Sequence, residues 1–115
     1  MKIDEYASGR HMRIAGRTYR SDLKIIGDRV KDNWWRGEGH RLDPADIADI
    51  LEAGPETLVI GTGYAGVMRV PDATLAAIAQ RGIRVIAEPT ADAVRTFNRL
   101  ADGSDAVAGA FHLTC

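Results

Sequence analysis

Apolar and polar positions alternate through the first third of the chain. Met12-Arg13-Ile14 and Leu23-Lys24-Ile25 repeat with a period of two, as in a strand with one face in a core and the other in water. Gly9, Gly16 and Gly27 punctuate these segments at turn spacing. Val30 to Trp35 reads as another strand, ending in an aromatic pair. From Asp43 the period lengthens. Asp43-Pro44 starts a helix, because Asp caps free N–H groups and Pro fits the first turn. Ile47, Ile50 and Leu51 share its apolar face, and Gly54-Pro55 stops it. Thr57 to Gly61 follows as a buried strand. Pro71-Asp72 opens a second helix with Leu75, Ile78 and Ala79 inward and Gly82 as its stop. Ile83 to Ala87 is a strand. Thr90 caps a third helix with Ala93, Val94, Phe97 and Leu100 inward, ended by Asp102-Gly103, and Val107 to Leu113 is a last strand.

The second half therefore runs α-β-α-β-α-β, an order that implies parallel strands joined by right-handed crossovers. The strand-rich first third adds antiparallel strands. The expected fold is α/β with mixed α+β character. It is one three-layer domain over residues 1–115, a central mixed β-sheet flanked by helices with an extra N-terminal antiparallel β layer. At 115 residues, a chain buries roughly two thirds of its unfolded surface, enough for one core.

Composition narrows the function classes. The apolar runs are strand-sized, short of the roughly 20 residues of a membrane span. Met1-Lys2-Ile3-Asp4-Glu5 has no apolar signal region, and the single Cys115 cannot form an internal disulfide. A cytoplasmic protein is expected. Residues 1–41 hold ten Lys/Arg and six Asp/Glu, and residues 42–115 hold five and ten. A surplus of +4 spread over that first segment is not a dense phosphate-binding patch, which argues against nucleic acid as a partner.

The chemistry-bearing motif that stands out is Gly61-Thr62-Gly63-Tyr64-Ala65-Gly66, directly after the strand Leu58-Val59-Ile60. It satisfies G-x-G-x-x-G. A dinucleotide fingerprint, however, places its third glycine within a helix that faces the pyrophosphate. Here Val67-Met68-Arg69-Val70-Pro71 follows, and Pro71 biases Val70 away from helix. Two readings remain: a turn whose N–H groups, with a nearby helix start, meet a small anion, or a tight turn where only glycine fits.

Further landmarks run in a fixed order: Ile14-Ala15-Gly16-Arg17-Thr18-Tyr19, Asp22-Leu23, Trp34 with Gly39-His40, Pro55-Glu56-Thr57-Leu58-Val59-Ile60-Gly61-Thr62-Gly63, Thr90 with Ala93-Val94 and Asn98, and Ala110-Phe111-His112-Leu113-Thr114-Cys115. In this order the chain resembles the Mth-nine-three-eight-like domain family from about Tyr6 onward. Relatives in that family include a mitochondrial respiratory complex I assembly factor and an adipogenesis-associated protein. The resemblance implies a mixed sheet with helices on one side and a helix plus extra strands on the other. It implies no recognised cofactor, and it carries no reaction.

No Ser-His-Asp arrangement, Walker motif or zinc signature appears, and His11, His40 and His112 have no metal-ligand spacing with one another or with Cys115. His112 and Cys115 are three apart, which in an extended strand sends them to opposite faces rather than into a nucleophile–base pair. Candidate ligand-binding residues are Gly61, Thr62 and Gly63 of the turn, with Arg36, Arg69 and Thr90 near the ends of the buried strands. Trp34 and Trp35 are the protein-interface candidates: neighbours on a strand face opposite ways, so one packs inside and the other is offered to a partner, unless both pack between layers. The leading expectation is a non-enzymatic binding or assembly-type protein. The alternative is a protein or enzyme for a small anionic ligand at the Gly61–Gly66 turn. A second copy of the chain, pairing along open sheet edges, is a further candidate partner.

Overall fold

A computed structural model of the protein describes residues 1–104 and 106–114, so Cys115 and its pairing with His112 lie outside the described residues. Among the described residues, eight strands form two sheets. β1 (Ile3–Ala7), β2 (His11–Ile14) and β3 (Arg17–Tyr19) make an antiparallel three-stranded sheet in sequence order. β4 (Leu23–Ile26), β5 (Arg29–Lys31), β6 (Thr57–Thr62), β7 (Arg84–Glu88) and β8 (Val107–His112) make a mixed sheet in the order β5-β4-β8-β6-β7. In it β6 runs parallel to β7 and β8, and β4 is antiparallel to both β5 and β8. The helices are α1 (Ala48–Ala53), preceded by a 3-10 turn over Pro44–Ile47, α2 (Asp72–Gln80) and α3 (Thr90–Ala101). This is the three-layer domain that the sequence pattern predicts.

Alternation along the central strands divides the core. Val59 and Phe111 face α3 and the three-stranded sheet, where Met12, Ile14, Leu23, Ile25, Ala93 and Phe97 join them. Leu58, Ile60, Ala108 and Ala110 face the other way, into a core with Ile47, Ile50, Ile78 and Trp34. Two glycines set the spacing on the α3 side. A Cβ on Gly61 would stand 2.8 Å from Thr90 Oγ1, and one on Gly109 would meet the Phe111 ring. Their missing side chains let the first turn of α3 and the edge-to-face pair Phe97–Phe111 settle onto the sheet. Asn98 ties the layers together from α3, since its amide accepts from the Ile3 N–H and donates to the Ile3 carbonyl, each at 2.8 Å.

Several local expectations change. The strand expected from Val30 to Trp35 ends at Lys31. Asn33 adopts a left-handed φ of 51°, which Asn tolerates better than most residues, and the chain turns back so that the Trp34 N–H donates to the Asp22 carbonyl. In α2 the inward side chains are Thr74 and Ile78, whereas Ala79 is exposed and Leu75 half-buried. The Thr74 hydroxyl donates to the Leu42 carbonyl at 2.7 Å, so a polar side chain fills an inward position. Thr90 does not cap α3. It is the first helical residue after Pro89, and its hydroxyl instead donates to the His112 carbonyl at 2.5 Å and accepts from the Gly63 N–H at 2.9 Å.

Candidate functional site

The parallel strands β6 and β8 end together, with Thr62 opposite His112. Beyond their ends the segment between β5 and α1 crosses toward the loop after β6: the Arg69 N–H donates to the His40 carbonyl and the Leu42 N–H to the Arg69 carbonyl. A cleft of about 360 Å³ opens there, at the strand ends where α/β sheets place ligands. Its walls come from Arg20, Ser21 and Asp22 before β4, from Trp34, Trp35 and Arg36, from Gly39 and His40, and from His112 to Thr114.

At its base is a buried polar cluster. Asp22 Oδ2 lies 2.7 Å from His112 Nδ1 and 2.8 Å from Arg36 Nη1, while Oδ1 accepts the Leu113 N–H at 2.8 Å. The side chains of Arg36 and His112 are 4% and 6% exposed. An ionised carboxylate only accepts, so the proton on His112 sits on Nδ1 and points to Asp22. Arg36 Nη2, 3.1 Å from the same nitrogen, then directs its hydrogen to the Gly39 carbonyl at 2.7 Å. Arg36 also stacks over the Trp34 ring, 4.9 Å from its centroid. Two buried side-chain atoms among the described residues lack a hydrogen-bond partner, Arg36 Nη1 and His112 Nε2. Both belong to this cluster. For Nη1 the closeness to Asp22 is a charge contact whose angle is not that of a hydrogen bond.

Burial pushes the Asp22 carboxyl up, but the hydrogen bonds from His112 and Leu113, with the Arg36 guanidinium beside it, outweigh burial and hold it below the usual carboxylate range. Asp49 behaves alike: burial raises it, and Lys24 and Lys31, at 2.9 and 3.0 Å, bring it down. A carboxyl that is more acidic folded than unfolded contributes stability above its unfolded value. That contribution is lost as pH falls through the folded value. Stability is therefore expected to decline with acid below roughly pH 4, the ordinary carboxylate value, and the acid limb should flatten in Asp22→Asn. Denaturant melts across that range check this; an unchanged acid limb in both Asp22→Asn and Asp49→Asn would contradict it.

The candidates named from sequence separate here. Arg36 lines the cleft. Trp34 is buried at 7% exposure, its indole N–H donating to the Asp46 carbonyl, whereas Trp35 on the rim is 86% exposed. Gly61, Thr62, Gly63 and Thr90 are buried behind the cluster, with Gly63 and Thr90 bonded to one another. Arg69 is exposed on the adjoining loop. Sequence reasoning missed the partnership of Asp22 with His112, ninety residues apart. Its one trace is that both stand among the ordered landmarks. Among the described residues, no group of three His, Cys, Asp or Glu side chains is placed to hold a metal ion, and no helix is long and apolar enough to cross a membrane.

Residues 3–112 match a family model described as "Protein of unknown function (DUF498/DUF598)". Among solved structures, the chain is similar to a conserved hypothetical protein from Pyrococcus horikoshii, at 24% identity, with 100% of both chains covered and a TM-score of 0.85. It is similar to an outer membrane protein from Bartonella henselae at 29% identity, covering 98% of this chain and 94% of that one, with a TM-score of 0.84. A Bordetella pertussis protein described as a Mth938-like domain shares 20% identity over 97% of this chain and 85% of its own, with a TM-score of 0.67.

Proposed function

This chain belongs to the Mth938-like domain family of proteins of unknown function (DUF498/DUF598), and we propose that it is a non-enzymatic binding protein of the assembly-factor type, engaging another protein through the aromatic rim of the cleft. The observation that carries this reading is Trp35. Its neighbour Trp34 is committed to the core, yet Trp35 stands 86% exposed. The other large apolar side chains exposed among the described residues, Tyr64 at 59% and Val67 at 47%, lie in the loop after β6, at the same end of the sheet. Exposed indoles beside arginine are the residues that dominate protein interfaces once covered.

Trp35→Ala is expected to shift folding stability by no more than about 0.5 kcal/mol, as for other exposed positions, while removing a specific protein captured by the tagged parent from native lysate. Capture that never rises above background, or that survives Trp35→Ala unchanged, overturns the reading. A second copy of the chain as the captured species would make this rim an interface between copies. The alternative, a small anion on the Gly61–Gly66 turn, has less support. The Gly63 N–H already donates to Thr90 Oγ1 and the Gly66 N–H to the Gly63 carbonyl.

A further inference from the structure

The cluster at the base of the cleft has two unmet demands of different kinds. Buried polar atoms are ordinarily satisfied, and exceptions call for an explanation such as a ligand. Arg36 Nη1 is a donor seeking an acceptor. His112 Nε2, with its ring proton committed to Asp22, is an acceptor seeking a donor. Asp22 is already met by His112, Arg36 and the Leu113 N–H, so its charge is neutralised within the wall. Exposed Arg20 adds a cation to the lining. The rim supplies two aromatic rings, the exposed indole of Trp35 and the His40 ring, which lies edge-on to His112 at 5.9 Å.

We propose that this cleft binds a small aromatic acid, a carboxylate or phosphate group on a planar ring, with the acid group at Arg36 Nη1 and His112 Nε2 and the ring against Trp35. The acid oxygen accepts from Nη1. One proton, shared between a second acid oxygen and Nε2, completes the set. Among the described residues, the charged and titratable groups placed against His112 are Asp22 ahead of β4 and Arg36 and His40 from the segment after β5; its partner in β6, Thr62, is neutral. The site does not depend on the protein-binding reading, because it stands on Arg36 and His112 rather than on exposure of the rim.

Calorimetric titration with benzoate tests it, with acetate as the ringless control and phenyl phosphate separating the two acid groups. The parent is expected to bind benzoate saturably and more tightly than acetate. Loss of one charge-assisted hydrogen bond in His112→Asn should weaken binding about tenfold or more. Arg20→Gln, at an exposed position and expected to fold, should weaken it severalfold. If His112→Asn does not fold, Arg20→Gln and the comparison of benzoate with acetate in the parent decide. Absence of saturable benzoate binding, acetate bound as tightly as benzoate, or affinity untouched by Arg20→Gln overturns the proposal. A phenyl phosphate preference would keep the site and assign it to phosphate monoesters. Loss of partner capture in Trp35→Ala is a separate readout, so either proposal can fail alone.

Discussion

Asp22→Ala is expected to destabilise the protein by about 3 kcal/mol or more, the range found when one partner of a buried ion pair is removed. Three groups lose their acceptor together: the His112 ring, the Leu113 N–H and the charge of Arg36. Arg36 cannot turn to water, because its side chain is 4% exposed and lies over Trp34. The Tm should fall by roughly 10–20 °C for a domain of this size. Asp22→Asn keeps an acceptor for Leu113 without the charge and should cost about half as much. A melting curve of Asp22→Ala within a degree or two of the parent would mean that the cluster is ornamental to the fold.

Gly109→Val is expected to be as damaging for a steric reason. Even a single Cβ at this position would lie 2.8 Å from Phe111 Cζ and 3.2 Å from Phe97 Cδ1, and closer still to another Phe111 ring atom. Both rings are buried, at 0% and 1% exposure, so neither can swing aside without opening the layer between α3 and the sheet. Overpacking of this kind costs about 1–3 kcal/mol and more where relief is blocked. Gly61→Ala meets Thr90 Oγ1 at 2.8 Å and Phe111 Cδ1 at 2.9 Å and should cost about 1–3 kcal/mol on the same grounds. Gly9→Ala, with nothing within 4 Å but a φ of 70°, separates backbone strain from overpacking. Equilibrium urea unfolding ranks the three, and a Gly109→Val protein as stable as Gly9→Ala would refute the close approach.

These two residues show where the chain is legible and where it is not. The layers follow from local rules. Period-two alternation gave β2 and the place of β4, although Lys24 of β4 is buried against Asp49 rather than turned to water, and apolar spacing of three and four gave the buried faces of α1 and α3. Proline and glycine marked most of the element ends. Departures occur where a distant partner overrules a local preference. Thr90 has the chemistry of a cap, but a carbonyl of β8 claims its hydroxyl. Val30 to Trp35 has strand composition, but Asp22 draws the Trp34 N–H away from a continued ladder. Spacing alone left the glycine turn open as an anion turn or a tight turn, and the close approach of Gly61 to Phe111 and Thr90 is not visible in it. The Asp22–Arg36–His112 cluster is the reverse case. It joins three segments separated by up to ninety residues, and no spacing rule reaches across such distances. Arg36 and Trp35 were legible as residue types suited to binding, and their convergence on one cleft was not.

The most direct measurement places a photo-crosslinking phenylalanine analogue at position 35 in the living cell, with the same group at exposed Arg84, at the opposite end of the sheet, as the control. A discrete covalent adduct with one protein is expected from position 35 and none from position 84. The same adducts from both positions, or none from either, would contradict the assignment of the Trp35 rim as the working surface of this domain.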